Sequence, residues 1–188
     1  SQCLDSVFNS SLKDVEVIVV DNHSRDGSVE YIKSKYPEVK VIASNHNLGF
    51  ARGNNLALRS IKSQYALLLN PDTILTTDVL QRSVDFMDAN PKCGGLGVCM
   101  LNVDGTKAME SRRGLPTPLT SFYKMIGLCK RFPKHKSFGR YYLGCLPWDK
   151  PASIEVISGA YCMLRKEALD KVGLLDEDFF MYGEDIDL

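Results

Sequence analysis

The 188-residue chain lacks the features that mark several protein classes. It has no run of about 18 apolar residues, the length that a transmembrane helix requires, and no visible signal peptide. It also lacks a net charge, because 23 basic side chains balance 23 acidic ones. The overall charge therefore gives no reason to expect nucleic acid as a partner.

Three cysteine- or glycine-based motifs are also missing. The six cysteines include no C-x-x-C pair and mostly lie in apolar contexts, which is typical of a reduced, cytosolic chain. There is no P-loop, and the G-G-x-G at residues 94–97 lacks the third glycine and the following helix of a dinucleotide fingerprint. Any phosphate must therefore be met by a metal ion and by side chains.

The composition is that of an ordinary globular protein, with 44% hydrophobic and 24% charged residues. We predict a single domain over residues 1–188. The chain opens inside an apparent helix and closes as another begins, so we expect this domain to be incomplete at its N- and C-termini. Anchors or targeting signals would then lie in the missing parts.

Short apolar strands alternate with amphipathic helices in the first half of the chain. Strands are predicted at residues 15–20, 39–43 and 65–69, and helices before Pro37, at 50–62 and at 77–89. This alternation predicts an α/β fold with a mainly parallel sheet and helices on both faces. Further on, the pattern predicts a strand at 94–101, a hairpin turn at 102–106, a strand at 154–157 and a helix at 166–172.

Polar residues follow each of the first three strands. Asp21 ends the first strand, residues 47–49 follow the second, and Asp72 follows the third. Ligands of open α/β sheets bind beyond the carboxyl ends of the strands, where one Asp can bind a ribose or base and another can hold Mg²⁺ or Mn²⁺. Arg52, one turn into the next helix, could assist with phosphate. The alternative for Asp72 is a plain turn in which Pro71 sets the corner.

Three acids end the chain. Glu184, Asp185 and Asp187 follow the apolar, aromatic residues 179–182. A carboxylate behind such a wall would have a raised pKa and suit a general base. The same acids also suit the first turn of a helix, where they complement its dipole. Both interpretations can hold together.

Five motifs, in this order and spacing, resemble family 2 glycosyltransferases of the GT-A fold, and rhamnosyltransferase-like bacterial members most closely. They are Val17-Ile18-Val19-Val20-Asp21-Asn22 with Ser24 and Asp26-Gly27-Ser28, Asn47-Leu48-Gly49-Phe50-Ala51 with Gly53-Asn54-Asn55, Leu68-Leu69-Asn70-Pro71-Asp72, Ser158-Gly159-Ala160, and Asp176-Glu177 through Phe180, Tyr182, Glu184 and Asp185.

The resemblance implies a role for each matched residue. Asp21 would bind the nucleoside, Asp72 would be the metal-binding carboxylate, and Asp185 would deprotonate the acceptor hydroxyl. The donor-binding residues are then Asp21, Asn22, Arg52, Asn55 and Asp72. The implied function is an inverting, metal-dependent transfer from a dTDP- or UDP-sugar, with Mg²⁺ or Mn²⁺, to a bacterial cell-surface glycan or a lipid-linked acceptor.

One departure from the family pattern keeps other functions open. Asn70 occupies the first D-x-D position, and an amide binds a cation less well than a carboxylate does. Asn70 favours a non-catalytic nucleotide-sugar-binding homologue. A sugar nucleotidyltransferase, which uses a similar sheet, is a further alternative; no Gly-rich basic loop for a triphosphate is visible near the first strand of this sequence, and such a loop would then lie in the missing N-terminal part.

The segment 112–150 carries the chain's uneven charge. Ten basic and two acidic side chains lie between Lys107 and Lys150, among Pro, Phe and Tyr residues that interrupt any periodicity. We predict an insertion with short helices. Its basic and aromatic side chains either rest on an anionic membrane surface, at the inner face of the cell membrane, or form a solvated loop whose aromatics close the core.

Overall fold

The structure is a computed structural model that describes residues 2–188 and contains two compact units. The first unit holds the chain up to Leu96 together with Met163–Leu188, and the second holds Gly97–Cys162. The predicted insertion at 112–150 lies within the second unit. The assignment of residues 1–188 to one catalytic domain stays a prediction.

The first unit alternates helices and strands as the sequence pattern predicts. Its helices are α1 (Gln2–Phe8), α2 (Ser28–Lys35), α3 (Gly49–Leu58), α4 (Val79–Ala89), α7 (Lys166–Val172) and α8 (Glu184–Asp187). Its strands are β1 (Ile18–Asp21), β2 (Lys40–Ala43), β3 (Tyr65–Leu69), β4 (Gly95–Leu96) and β7 (Tyr161–Arg165), the last of which begins in the second unit.

These strands form two sheets. Strands β1 and β2 pair in parallel, with Asp21 opposite Ala43 at their carboxyl ends. Strands β3, β7 and β4 form the other sheet in that order, and β4 runs antiparallel to β7. The parallel pair brings the loop after β1 and the loop after β2 to the same sheet edge, as expected for a β-α-β unit.

Helix α4 shows why the helices pack on these sheets. Leu80, Ser83 and Met87 are buried at helical spacing, so one stripe of the helix faces the interior. The guanidinium of Arg165 donates hydrogen bonds to the backbone oxygens of Met87 at 2.7 Å and Cys93 at 2.9 Å. These bonds tie the end of β7 to the end of α4.

Several elements are shorter than the sequence pattern predicts. Strand β1 begins at Ile18, α3 ends at Leu58, and β4 covers only two residues. The predicted strand at 94–101 contains three glycines, which lack side chains to pack and so weaken strand pairing. The predicted hairpin turn is confirmed, because the Asn102 amide donates to the Thr106 carbonyl at 2.7 Å.

The second unit contains short elements, as expected for the segment 112–150. They are β5 (Arg112–Arg113), α5 (Pro118–Met125), α6 (Leu128–Arg131), β6 (Val156–Ile157) and two 3-10 turns at Met109–Ser111 and Arg140–Tyr142. Strands β5 and β6 pair antiparallel. The ring of Phe138 packs against Tyr123 and His135, with centroids 5.0 Å and 4.3 Å away. Some of the aromatic residues thus pack against one another within this unit, although Tyr123 and Phe138 are only half-buried and His135 is exposed.

Within residues 2–188, no helix has both the length and the apolar character needed to cross a membrane.

Candidate active site

The carboxyl end of β1 carries the first predicted site residue. Asp21 is buried at the last position of the strand, and its Oδ2 accepts a hydrogen bond from the Ser24 amide at 3.0 Å. The Asp21 carbonyl accepts another from the Ser44 amide, just beyond β2, at 2.9 Å. Asp21 therefore lies where the first two strand ends meet.

The neighbouring Asn22 joins those two strand ends with its side chain. Its Oδ1 accepts from the Leu48 amide at 2.7 Å, and its Nδ2 donates to the Gly49 carbonyl at 3.0 Å. The side-chain amide thus holds the loop after β2 against the loop after β1. The donor-binding role of Asn22 stays a prediction, and the structure adds a positioning role.

The C-terminal segment docks on the first turn of α3. The Phe50 amide donates to the Phe180 carbonyl at 2.9 Å. Gly49 has a φ of +79°, and a Cβ built there would lie 2.2 Å from the Phe180 oxygen. Only glycine satisfies both the left-handed backbone and this close approach.

We expect Gly49→Ala to lower the free energy of unfolding by about 3 kcal/mol, because it combines a strained φ with a clash against backbone. Urea unfolding followed by circular dichroism measures the loss. The matched control is Gly27→Ala, since Gly27 has the same φ of +79° but no atom within 4 Å of the added methyl. The control should lose only about 1 kcal/mol. Equal losses in the two variants would contradict the close approach to Phe180.

One face of α3 holds residues 175–177. Asn55, only 1% exposed, donates to the Leu175 carbonyl at 2.8 Å and accepts from the Leu175 amide at 3.2 Å. Asn55 also donates to Glu177 Oε1 at 2.9 Å, and Arg59 pairs with the same oxygen at 2.6 Å. Hydrogen bonds from Asn55 and then Arg59 hold the pKa of Glu177 below its usual value. The amide of Asn55 is therefore engaged within the chain, and its donor-binding role stays a prediction.

A cleft of about 180 Å³ lies beside this contact. Arg52 contributes a positive charge to the cleft and donates from Nε to the Glu177 carbonyl at 3.1 Å. The other lining residues are His46, Asn47, Leu48, Glu177, Asp178 and Phe180. A larger hollow of about 300 Å³ lies elsewhere, at the amino end of β3 beside Lys62 and Lys166. The smaller cleft is the one at the predicted sheet edge.

Asp72 lies in the exposed turn that follows β3, as the sequence predicts. Helix α1 holds this turn: the Cys3 thiol contacts the Asn70 carbonyl at 3.6 Å, and the Leu75 amide donates to Ser6 Oγ at 3.0 Å. Burial raises the pKa of the Cys3 thiol, and the nearby Asp72 carboxylate adds to this. None of the three predicted acids, Asp21, Asp72 and Asp185, is among the residues that line the cleft of about 180 Å³.

The last predicted site residues form α8. Gly183 precedes the helix with a φ of +110°, and Tyr182 before it also has a positive φ, of +68°. Glu184 is only 6% exposed, and its Oε2 has no hydrogen-bond partner among the residues that the structure describes. Asp185 is half-buried, and Asp187 is exposed.

The structure therefore differs from the predicted arrangement of an aromatic wall in front of the acids. Phe180, Met181 and Tyr182 are all more than half exposed, while Glu184 is the buried carboxylate. Sequence reasoning did not single out Glu184. A buried carboxylate oxygen without a partner is costly, so Glu184 joins Asp185 as a candidate for the chemistry.

The oxygen ligands that the chain offers fit a divalent cation that is coordinated jointly by the protein and a substrate. Among the described residues, no group of three or more His, Cys, Asp and Glu side chains could hold a metal ion. Mg²⁺ commonly takes one or two carboxylates, substrate phosphates and waters. The exposed carboxylate of Asp72 meets that requirement, provided that a diphosphate supplies the remaining oxygens.

Comparisons with known proteins find glycosyltransferases, and a family model identifies the family. A family model described as glycosyl transferase family 2 matches residues 1–173. An N-acetylglucosaminyl-diphospho-decaprenol L-rhamnosyltransferase from Mycobacterium tuberculosis (strain CDC 1551 / Oshkosh) is 25% identical over 98% of this chain and 63% of its own length. The low-salt glycan biosynthesis hexosyltransferase Agl10 from Haloferax volcanii is 26% identical over 92% of this chain and 51% of its own length. The chain thus spans less than two thirds of each relative.

A solved structure shows the fold. The mannosyltransferase PcManGT from Pyrobaculum calidifontis, in complex with GDP-Man and Mn²⁺, superposes with a TM-score of 0.62 at 19% identity. The match covers 98% of this chain and 44% of that one. The chain has the GT-A fold, and the predicted fold class is confirmed.

Proposed function

This chain belongs to glycosyl transferase family 2, and on that premise we propose that the protein moves a sugar from a nucleoside diphosphate sugar to a hydroxyl of a glycan or lipid-linked acceptor. One observation carries the proposal. At the carboxyl ends of β1 and β2, Asn22 next to Asp21 bonds the Leu48 amide in the loop after β2, and this loop lines one cleft together with Arg52 and residues 177, 178 and 180. This is the edge at which open α/β sheets bind nucleotides.

In the proposed site, Asp21 binds the nucleoside, and Asn22 and Asn55 shape the donor site by holding its loops. Arg52, in the wall of the cleft, supplies positive charge for the diphosphate. Asp72 would hold a divalent cation, which stabilises the negative charge of the departing nucleoside diphosphate. The use of a divalent cation is supported by the Mn²⁺ in the PcManGT structure, whereas its assignment to Asp72 rests on the sequence resemblance alone.

The proposed reaction is a single displacement that inverts the anomeric centre. Asp185 takes the proton of the acceptor hydroxyl, and the acceptor oxygen attacks the anomeric carbon as the bond to the diphosphate oxygen breaks. The nucleoside diphosphate leaves with that electron pair. No nucleophile on the protein is needed. Because α8 places Glu184 beside Asp185, the two carboxylates must be tested separately.

The relatives support a particular class of acceptor and donor. The name of the mycobacterial relative specifies L-rhamnose transfer to an N-acetylglucosaminyl-diphospho-decaprenol. By this similarity, we propose a lipid-linked diphosphate sugar of a bacterial cell-surface glycan as acceptor, and a dTDP- or UDP-sugar, such as a rhamnosyl donor, as substrate. The reaction would take place on the cytoplasmic side of the membrane.

The remaining alternative is a homologue that binds nucleotide sugars without transferring them. Asn70, in place of the first carboxylate of the D-x-D pattern, favours it. The Asn70 carbonyl accepts from the Thr73 amide at 3.1 Å, which shows the backbone of this residue engaged in the turn. A binding-only protein would bind the nucleotide sugar but would never cleave it to a free nucleoside diphosphate.

The experiment is a donor screen with the full-length protein. A panel of UDP-, dTDP- and GDP-sugars is incubated with Mn²⁺, and release of the nucleoside diphosphate is measured with and without a lipid-linked N-acetylglucosamine diphosphate. We expect one donor class to release its nucleoside diphosphate slowly by hydrolysis when no acceptor is present. With acceptor, release by sugar transfer should be about 10²-fold or more faster, since the acceptor hydroxyl replaces water in a site built to orient it. Donor binding with no release under any condition would support the binding-only homologue.

A further inference from the structure

Helix α5 presents its apolar side to solvent. Leu119, Phe122, Met125 and the following Ile126 are 58%, 48%, 77% and 50% exposed. At about 100° per residue, they fall within an arc of roughly 120° on one side of the helix. A helix of a globular unit normally buries such a stripe, so this face lacks a partner within its unit.

The opposite side of α5 anchors the helix to its unit. Thr120 is buried, and its hydroxyl donates to the Leu115 carbonyl at 3.2 Å. Thr117 caps the helix, since its Oγ1 accepts from the Thr120 amide at 3.2 Å, and Pro118 occupies the first turn. Tyr123 packs edge-on against Phe138. The outward direction of the apolar arc therefore follows from the packing of the other side.

The segment of chain that carries this apolar arc is positively charged. Residues 111–148 contain eight basic side chains and no Asp or Glu. Among the residues that the structure describes, the exposed Lys130, Lys134 and Lys136 take part in no ion pair, whereas Arg140 pairs with Glu155 at 2.7 Å. The free cations therefore lack an internal counter-charge.

We propose that the apolar arc of α5 and the lysines at 130, 134 and 136 dock this unit onto an anionic lipid bilayer. An apolar face inside a basic segment is what a helix lying in a membrane interface requires, with aliphatic and aromatic side chains in the acyl boundary and cations near lipid phosphates. The charge selects this occupant, because a second copy of the chain would bring like charges together. The proposal stands on the unit Gly97–Cys162 and goes beyond the transfer reaction, whose failure would leave it intact.

The first test is co-sedimentation of the full-length protein with vesicles of phosphatidylcholine containing about one third phosphatidylglycerol. Each basic residue near such a surface contributes about a fivefold factor in partition. We expect binding to fall at least tenfold on pure phosphatidylcholine, and at least tenfold in the double variant Phe122→Ser, Met125→Ser. The double variant Lys130→Glu, Lys134→Glu should lose at least as much.

Matched controls come from the first unit. Val172, 71% exposed at the end of α7, is the control for an apolar substitution as Val172→Ser, and the exposed Lys92 is the control for charge reversal as Lys92→Glu. Both controls should bind like the wild type. Circular dichroism spectra establish that the exposed substitutions leave the fold intact.

A second measurement reports directly how deeply helix α5 inserts into the bilayer. The fluorescence of the Phe122→Trp variant should be quenched by brominated lipids, and that of Val172→Trp should not, after subtraction of the signal of the unsubstituted full-length protein, which includes Trp148. Absence of quenching in Phe122→Trp, together with unchanged vesicle binding of the α5 double variant, would overturn the proposal. If that double variant instead converts a dimer to a monomer, a second copy covers this face and the proposal is wrong.

Discussion

Asp185→Asn is expected to lower the rate of sugar transfer by about 10³-fold while donor affinity stays within about twofold of wild type, since a general base contributes about 10²–10⁴-fold. The amide cannot take a proton, but it keeps the size and most of the hydrogen bonding of the carboxylate. The base acts on the acceptor hydroxyl, so the nucleotide sugar should still bind. Transfer is measured with saturating donor and acceptor, and donor binding by calorimetry.

Two further variants make this test specific. Asp187→Asn changes an exposed acid of the same helix and should retain full activity. Glu184→Gln addresses the buried neighbour whose Oε2 has no hydrogen-bond partner among the described residues. If Glu184→Gln is inactive and Asp185→Asn is active, the base is Glu184. Full activity in both variants would refute a general base on α8.

Removal of the divalent cation is expected to weaken binding of the nucleoside diphosphate by at least about tenfold, because two phosphate groups would then lack their main counter-charge in a chain without a P-loop. Asp72→Asn should abolish the difference between Mn²⁺ and chelator. Isothermal calorimetry with UDP and dTDP, each with Mn²⁺ or EDTA, measures this. Asp72 is the one carboxylate that the resemblance assigns to the ion. Its replacement by an amide removes the negative charge that would bind the cation.

The control for Asp72 is Asp85→Asn, which removes an exposed acid from α4 and should leave the metal dependence unchanged. Wild-type binding that is the same with Mn²⁺ and EDTA would favour a metal-independent, binding-only protein. A metal dependence that survives Asp72→Asn would place the ion on other residues. The two results separate the cation itself from its assigned ligand.

The roles of the asparagines could not be read from the sequence. Asn22 and Asn55 belong to motifs that resemble donor-binding positions, yet the structure shows both amides bonded to backbone elsewhere in the chain. The partner of Asn55 lies 120 residues away. A one-dimensional pattern gives no access to such a pairing, because it depends on how α3 packs against the C-terminal segment.

The acids at the end of the chain give a second example. Their spacing predicts a helix first turn, and α8 confirms it. Which acid is buried depends on the rotation of that short helix against its neighbours, and the pattern of charges carries no signal for it. The aromatic run before α8 was predicted to shield a carboxylate, but the rings of Phe180 and Tyr182 are largely exposed. Hydrophobicity alone does not decide burial.

The order of helices and strands, the polar strand ends at Asp21 and Asp72, and the family all follow from the sequence, because they rest on short-range periodicity and on motifs in a set order. The tertiary structure alone decided that Gly49 must admit the Phe180 carbonyl, that Asn55 holds residues 175–177, and that α5 turns its apolar arc outward. Each of these depends on atoms brought together by packing between elements, which local sequence preferences do not encode.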